Sequence, residues 1–163
     1  MLGSKTTAGK RAMAAVREAL GVIERRHGIT HSWLSEKALH TFDGFITKDN
    51  TVVGVFEAKS RAASYEDGCI KYGGVLYPTY LITSKKLENG AVWARKFNVP
   101  FFLLVNLEES GHVLSFMVSD KAGKILVDFE EKASTTQATV NGGYMTRANS
   151  FIPIGQALVF DIK

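Results

Sequence analysis

An acid and a lysine close an apolar strand in the stretch VVGVFEAKS, residues 52–60. Residues i and i+2 of an extended strand point to the same face, so Glu57 and Lys59 share one face. Phe56 and Ala58 share the other face. The pattern fits either an ion pair at a solvated strand end or a metal-binding carboxylate beside an amine that stabilises negative charge.

A second carboxylate, that of Asp43, is predicted to lie beside Glu57. The midpoint between the two residues is position 50, within the polar turn TKDN (47–50). An antiparallel hairpin centred there brings Asp43 and Glu57 side by side across the ladder. Opposed carboxylates repel each other, whereas Mg²⁺ prefers one or two carboxylates and keeps its other sites for water and phosphate oxygens. A metal site therefore explains the pair better than sheet stability does.

Hydrophobic periodicity predicts the elements that must position these residues. Met13, Val16, Leu20 and Ile23 form one stripe of a first helix, and Pro100 ends a second one. We predict helices at 7–27 and 85–98, strands at 39–46, 51–58, 100–107, 112–119, 124–131 and 157–162, an extended segment at 77–82, and loops at 60–76 and 133–150. This order predicts an α/β fold, with a mixed β-sheet flanked by helices and extra strands at the C-terminal end.

Length and composition suit one soluble domain. The chain has 163 residues, 45% hydrophobic and 22% charged, so we expect a single domain over 1–163 with its core at about 7–120. The C-terminal strands and a flexible loop at 133–150 complete it. The sequence has no apolar run long enough to span a bilayer, and its single cysteine, Cys69, cannot form an internal disulfide. We therefore expect a cytoplasmic protein with no membrane partner.

Positive charge is concentrated near the N-terminus. Residues 1–40 carry seven Lys or Arg against three acids, which equals the whole net charge of +4. A basic helix there suits a polyanion such as nucleic acid, and a solvated helix face explains the same charges.

Asp43 together with Glu57-Ala58-Lys59 resembles the motif of the PD-(D/E)xK nuclease superfamily. Segment 80–107 resembles that superfamily too, because lysines near the start of a helix precede a buried strand. The resemblance covers about 7–120 as an order of elements and implies the restriction-endonuclease-like fold with an αβββαβ core. One departure is that Phe42, not proline, precedes Asp43.

The resemblance implies a deoxyribonuclease that depends on Mg²⁺ or Mn²⁺. It implies Asp43 and Glu57 as metal ligands, the Ala58 carbonyl as a third ligand, and Lys59 as the residue that positions or activates water. The alternative is a catalytically silent nucleic-acid-binding module on the same fold. The resemblance also suggests a protein encoded by a phage or mobile element, and small nucleases that cut both strands often act as homodimers.

Three basic residues are candidates for binding the DNA backbone. Lys85 and Lys86 open the second helix, where the helix dipole disfavours cations, so their presence hints at phosphate contact. Arg61, just past the predicted strand, is a similar candidate. Ordinary surface positions explain all three equally simply.

Two residues of the first helix, Glu18 and Glu24, are candidates for a third acidic ligand, and the sequence does not decide between them. Relatives often carry a metal-binding glutamate there, and spacing favours Glu18. The helical wheel favours Glu24, which lies nearer the apolar stripe.

Overall fold

The computed structural model describes residues 7–35, 42–138 and 144–163. Two helices and twelve strands are formed by these residues. In chain order they are α1 (Thr7–His27), β1 (Thr30–Trp33), β2 (Gly44–Lys48), β3 (Thr51–Arg61), β4 (Ser64–Glu66), β5 (Cys69–Tyr72), β6 (Val75–Tyr77), β7 (Thr79–Thr83), α2 (Ser84–Phe97), β8 (Phe101–Leu107), β9 (His112–Ser119), β10 (Glu130–Ala138), β11 (Tyr144–Pro153) and β12 (Leu158–Asp161).

The largest sheet has six strands in the order β1-β2-β3-β8-β9-β12. β3 and β8 run parallel, and the other neighbouring pairs are antiparallel. α2 belongs to the crossover that joins the two parallel strands. This mixed sheet, flanked by helices, confirms the α/β prediction and the restriction-endonuclease-like order of elements.

Each helix covers one face of this sheet. Val16, Leu20 and Ile23 of α1 share a buried cluster with Phe56 and Ala58 of β3, among others. On the opposite face, a second cluster joins β3 and β8 with α2, including Val55, Leu87, Ala94, Leu103 and Val105. Because Phe56 and Ala58 face α1, the residues that alternate with them, Glu57 and Lys59, lie on the opposite face, which α2 covers.

The β2–β3 hairpin turns at Asp49 and Asn50, which both have positive φ (50° and 63°). Two successive residues of this conformation form the tight turn that suits a two-residue hairpin loop. The register shifts once, between Ile46 and Thr47, and then pairs Gly44 with Phe56. The shift moves the centre of the hairpin from between residues 49 and 50 to residue 50 itself. Asp43, which directly precedes Gly44, therefore comes to the level of Glu57.

Residues 60–76 do not form the loop that the sequence predicted. β3 continues to Arg61, and β4, β5 and β6 form a separate antiparallel sheet. Its strands are three or four residues long, and β6 is exposed at every position. Strands this short, with Ile70 of β5 as their one buried residue, carry no alternating pattern, and only the glycine-containing turns between them were visible in the sequence.

The predicted loop at 133–150 was also wrong where the structure describes it. β10 and β11 pair as a long antiparallel hairpin, and β11 pairs with β7. Both strands are rich in Thr, Ser, Ala and Asn, so their hydrophobicity does not alternate clearly. The predicted strand at 124–131 is reduced to a single bridge at Ile125 before β10 begins at Glu130.

The remaining boundaries differ by small amounts. Strand β1, with the largely polar sequence THSW, was missed, and β2 begins at Gly44 and extends to Lys48. The predicted strand residues 39–41 lie outside the described residues. Within the described ranges, neither helix is long and apolar enough to cross a membrane.

Candidate active site

Asp43 lies immediately before β2, between the end of β1 and the middle of β3. Its backbone N–H donates to the Phe56 carbonyl at 2.9 Å, and its carbonyl accepts from the Leu34 N–H at 2.9 Å. Its side chain turns towards β3, where Oδ2 accepts a hydrogen bond from the Ala58 N–H at 2.7 Å. Both neighbouring strands therefore fix the position of this carboxylate.

Glu57 is a buried carboxylate with two cationic partners. It is 2% exposed and lies on the β3 face that α2 covers. Its Oε1 lies 3.4 Å from the Lys59 ammonium nitrogen and 3.2 Å from that of Lys86. The two lysines come from different elements, β3 and α2, and together they balance a charge that would be costly to bury alone.

The two carboxylates interact electrostatically. Burial, followed by the negative charge of Glu57, raises the pKa of Asp43 to about 6. The Ala58 hydrogen bond and the charges of Lys59 and Lys86 act in the opposite direction without cancelling the increase. Two acids in one partly buried site therefore resist full ionisation in the absence of a further cation.

The three predicted backbone-binding residues have different surroundings. Lys86 reaches the centre itself through Glu57. Arg61 lies two positions beyond Lys59 on β3, donates to the Ser60 carbonyl at 3.1 Å, and holds its guanidinium 5.7 Å from the centre of the Tyr80 ring. The Lys85 side chain is 73% exposed, and its ammonium nitrogen lies 3.8 Å from a carboxylate oxygen of Glu88.

Neither glutamate of α1 joins this centre. The Glu24 carboxylate accepts the His31 N–H at 2.6 Å and lies 3.2 Å from His31 Nδ1, which ties α1 to β1. Glu18 is exposed on α1. Across residues 7–35, 42–138 and 144–163, no group of three or more His, Cys, Asp or Glu is arranged to hold a metal, so the centre has two carboxylates there.

Tyr80 is a neighbour of the centre that sequence reasoning missed. It lies on β7 and is 5% exposed. Burial raises the pKa of its hydroxyl, the Arg61 charge lowers it, and the Glu57 charge raises it. Its burial on a strand next to α2 gave no sequence signal that separates it from an ordinary core tyrosine.

A polar chain on the opposite face of β3 was also missed. Buried Ser60 donates to Glu108 at 2.7 Å and accepts from the buried Asn106 at 3.0 Å. Arg11 of α1 then binds Glu108 at 2.6 Å, which lowers the pKa of that carboxyl. The chain joins the start of α1 to the ends of β3 and β8. Its one sequence signal was Asn106, a polar residue inside the apolar run FFLLVNL.

Comparison with protein families agrees with this geometry. Residues 10–130 match the model of a family described as "Phage putative PDDEXK endonuclease". No curated protein and no solved structure matches the chain. Because the matched region covers well over half of the 163 residues, the chain belongs to this PDDEXK family.

Proposed function

We propose that this protein is a metal-dependent deoxyribonuclease that hydrolyses phosphodiester bonds, with Asp43, Glu57 and Lys59 as its catalytic residues. The observation that carries the proposal is the pair of carboxylates formed by Asp43, just before β2, and Glu57 in the middle of β3, with two lysine ammonium groups at Glu57. Opposed acids in a partly buried site are unfavourable for folding, which points to a functional reason for keeping them.

The residues at this centre fit a hard divalent cation such as Mg²⁺ or Mn²⁺. Asp43 and Glu57 would supply carboxylate oxygens, and the Ala58 carbonyl is a third candidate ligand. Mg²⁺ needs only one or two carboxylates, because water and phosphate oxygens complete its coordination. When bound, the metal supplies Lewis-acid polarisation of the phosphodiester and a lower pKa for an attacking water.

The chain's own groups orient the substrate and stabilise charge. The Ala58 N–H holds the Asp43 carboxylate in place, and Lys86 holds the Glu57 carboxylate. Lys59, on the same face of β3 as Glu57, would stabilise negative charge that develops on the phosphate. Fixed donors of this kind act without reorganising during the reaction.

DNA is the substrate that we propose, with Arg61, Lys85 and Lys86 as contacts to its backbone. Positively charged side chains supply most of the sequence-independent affinity for nucleic acid. The second candidate function is a catalytically silent nucleic-acid-binding module on the same fold. The intact pair of carboxylates favours catalysis, since a pure binder of phosphate gains nothing from two acids at its binding surface.

A cleavage panel tests the proposal. Linear duplex, supercoiled plasmid, single-stranded DNA, a four-way junction and RNA would be incubated with Mg²⁺, Mn²⁺ or EDTA. We expect metal-dependent cutting of DNA that is lost in Glu57→Gln and Lys59→Gln and retained in Glu88→Gln, which changes an exposed acid on α2. Cutting that persists in EDTA or in Glu57→Gln would contradict the proposed centre. Salt-sensitive binding without cutting would support the silent module.

A further inference from the structure

A second, cationic pocket lies beside the candidate centre, at the start of α2. It has a volume of about 130 Å³, and its lining combines three cations with two neutral polar residues, namely Lys85, Lys86, Arg147, Thr83 and Asn89. Arg147 comes from β11, so two distant parts of the chain form the pocket.

Strand pairing explains why Arg147 lies over this helix. β11 pairs with β7 up to Asn149 and Thr83, the last residue before α2. Beyond that point, residues 144–148 continue to pair with β10. The β10–β11 hairpin therefore extends past the end of β7 and forms a wall beside the first turn of α2.

A buried contact fixes the wall to the helix. Ser84 Oγ and Ser150 Oγ lie 2.7 Å apart, and both residues are buried. Ser150 is three residues from Arg147 on β11, and Ser84 directly precedes Lys85 on α2. The backbone positions of Arg147 and Lys85 on the two sides of the pocket are therefore held by this packed pair of serines.

Lys86 connects the pocket with the candidate centre. Its side chain lines the pocket, while its ammonium nitrogen lies 3.2 Å from Oε1 of Glu57. A strand whose reacting phosphate lies at Glu57 would therefore have another of its phosphates within reach of this pocket.

The lining indicates the chemistry of the ligand. Lysine and arginine side chains that line one small space suit a phosphate, whose oxygens accept several charge-assisted hydrogen bonds. An adjoining cavity of about 470 Å³ adds Glu88 and Glu131 to the lining. This cavity shares Thr83, Lys85 and Arg147 with the cationic pocket, and its two acids disfavour a polyanion that extends into it. The cationic pocket therefore suits a single phosphate group better than an extended track.

We infer that Lys85, Lys86 and Arg147 bind one phosphate of a DNA strand other than the phosphate that is cleaved, and so align the strand over Glu57. This inference rests on the proposed nuclease function and adds the β10–β11 hairpin to the substrate interface. The phosphate is either an internal backbone group or a terminal 5′-phosphate, and the same pocket chemistry serves both.

Binding measured without metal tests the inference separately from cleavage. Fluorescence anisotropy in EDTA would compare a short duplex and its single strand, each with a 5′-phosphate or a 5′-hydroxyl. The proteins are wild type, Lys85→Gln, Arg147→Gln and the double variant. Lys121→Gln is the control, because Lys121 is exposed in the turn beside Gly123, which lies against Ala91 and Arg95 farther along α2.

We expect each pocket variant to weaken binding about 3- to 10-fold and to lower the salt slope by about one, with wild-type behaviour for Lys121→Gln. A loss for both end types identifies an internal phosphate, whereas a loss restricted to 5′-phosphorylated DNA identifies a terminal one. Binding of both single variants within twofold of the control would overturn the inference, whatever the cleavage panel shows.

A second measurement detects the pocket without DNA. Titration of inorganic phosphate into ¹⁵N-labelled protein should shift the amide signals of residues 84–89 and 147, and the shifts should disappear in the double variant. Unchanged signals in this region would count against the pocket. Wild-type protein that cleaves nothing yet shows these shifts would refute the nuclease and leave the anion site standing.

Discussion

Lys86, in the first turn of α2, places its ammonium nitrogen 3.2 Å from Oε1 of Glu57, closer than Lys59 on the same strand as Glu57. The motif lysine is therefore one of two cations at the buried carboxylate. The helix dipole disfavours lysines in the first turn of α2, and no acid lies in that turn to offset them. The contact with Glu57 explains why Lys86 is nevertheless present there.

Lys86→Gln should lower the free energy of unfolding by about 1–2 kcal/mol, because Glu57 would remain buried with one cationic partner. Urea denaturation in EDTA measures the change. Lys85→Gln is the matched control one residue away, where partial screening of an exposed pair predicts a change of less than about 0.5 kcal/mol. Equal effects of the two substitutions would show that Glu57 does not depend on Lys86.

Mg²⁺ should stabilise the folded protein, because a cation held by Asp43 and Glu57 binds the folded state and not the unfolded chain. Thermal unfolding should show Tm rising with Mg²⁺ concentration at constant ionic strength. Asp43→Asn and Glu57→Gln should each abolish the dependence, and Glu88→Gln should retain it. An identical increase in Tm for all four proteins would assign the effect to general ion binding.

Asp43→Asn should stabilise the metal-free protein near neutral pH. The folded-state pKa of Asp43 is about 6, above its ordinary value of 3.8, so folding disfavours its ionised form. The free energy of unfolding of the wild-type protein therefore falls as pH rises from about 4 to about 6. Asparagine, which cannot ionise, removes this penalty of roughly 2–3 kcal/mol at most.

Chemical denaturation in EDTA at pH 4 and pH 7.5 checks this dependence. The two proteins should differ most at pH 7.5, and the difference should be small at pH 4, where the carboxyl is protonated in the folded protein and only about half ionised in the unfolded chain. Asparagine keeps an oxygen that can accept the Ala58 N–H, so loss of that bond does not obscure the result. A difference that is independent of pH would contradict the raised pKa.

Gly90→Ala should destabilise the protein, although alanine is the better helix former. A Cβ at Gly90 would overlap the Phe101 ring, because α2 lies against β8 at this point. Overpacking of this kind costs about 1–3 kcal/mol. Gly21→Ala in α1 is the matched control, since its Cβ would meet Arg25 at an ordinary 3.4 Å. We expect that change to stabilise by about 0.5–1 kcal/mol in the same denaturation experiment, and a stabilising Gly90→Ala would refute the close approach.

The local pattern of the sequence determined the elements that have a buried face and a clear period. The stripe Val16-Leu20-Ile23 predicted α1, and alternation along β3 assigned Glu57 and Lys59 to one face. The apolar run at 101–107 predicted a strand covered on both sides. In each case burial requires the hydrophobic period that the sequence displays.

Strands without such a period were decided by tertiary pairing. β4, β5 and β6 are short and bury Ile70 alone, β10 is polar along most of its length, and β11 mixes polar and apolar residues without a clear period. Neighbouring strands satisfy their backbone hydrogen bonds, and this pairing does not require hydrophobic side chains. Such strands therefore leave no hydrophobic pattern in the sequence.

The composition of the site divides in the same way. The hairpin centre, read from the sequence, was enough to bring Asp43 near Glu57, because the two residues are joined by one short turn. Lys86 and Arg147 reach the site only through the crossover to α2 and the extension of β11 beyond β7. Periodicity reports which way a side chain faces within its own element. The packing of the helices and sheets sets which distant elements meet at the site, so only the tertiary structure decided this part of its composition.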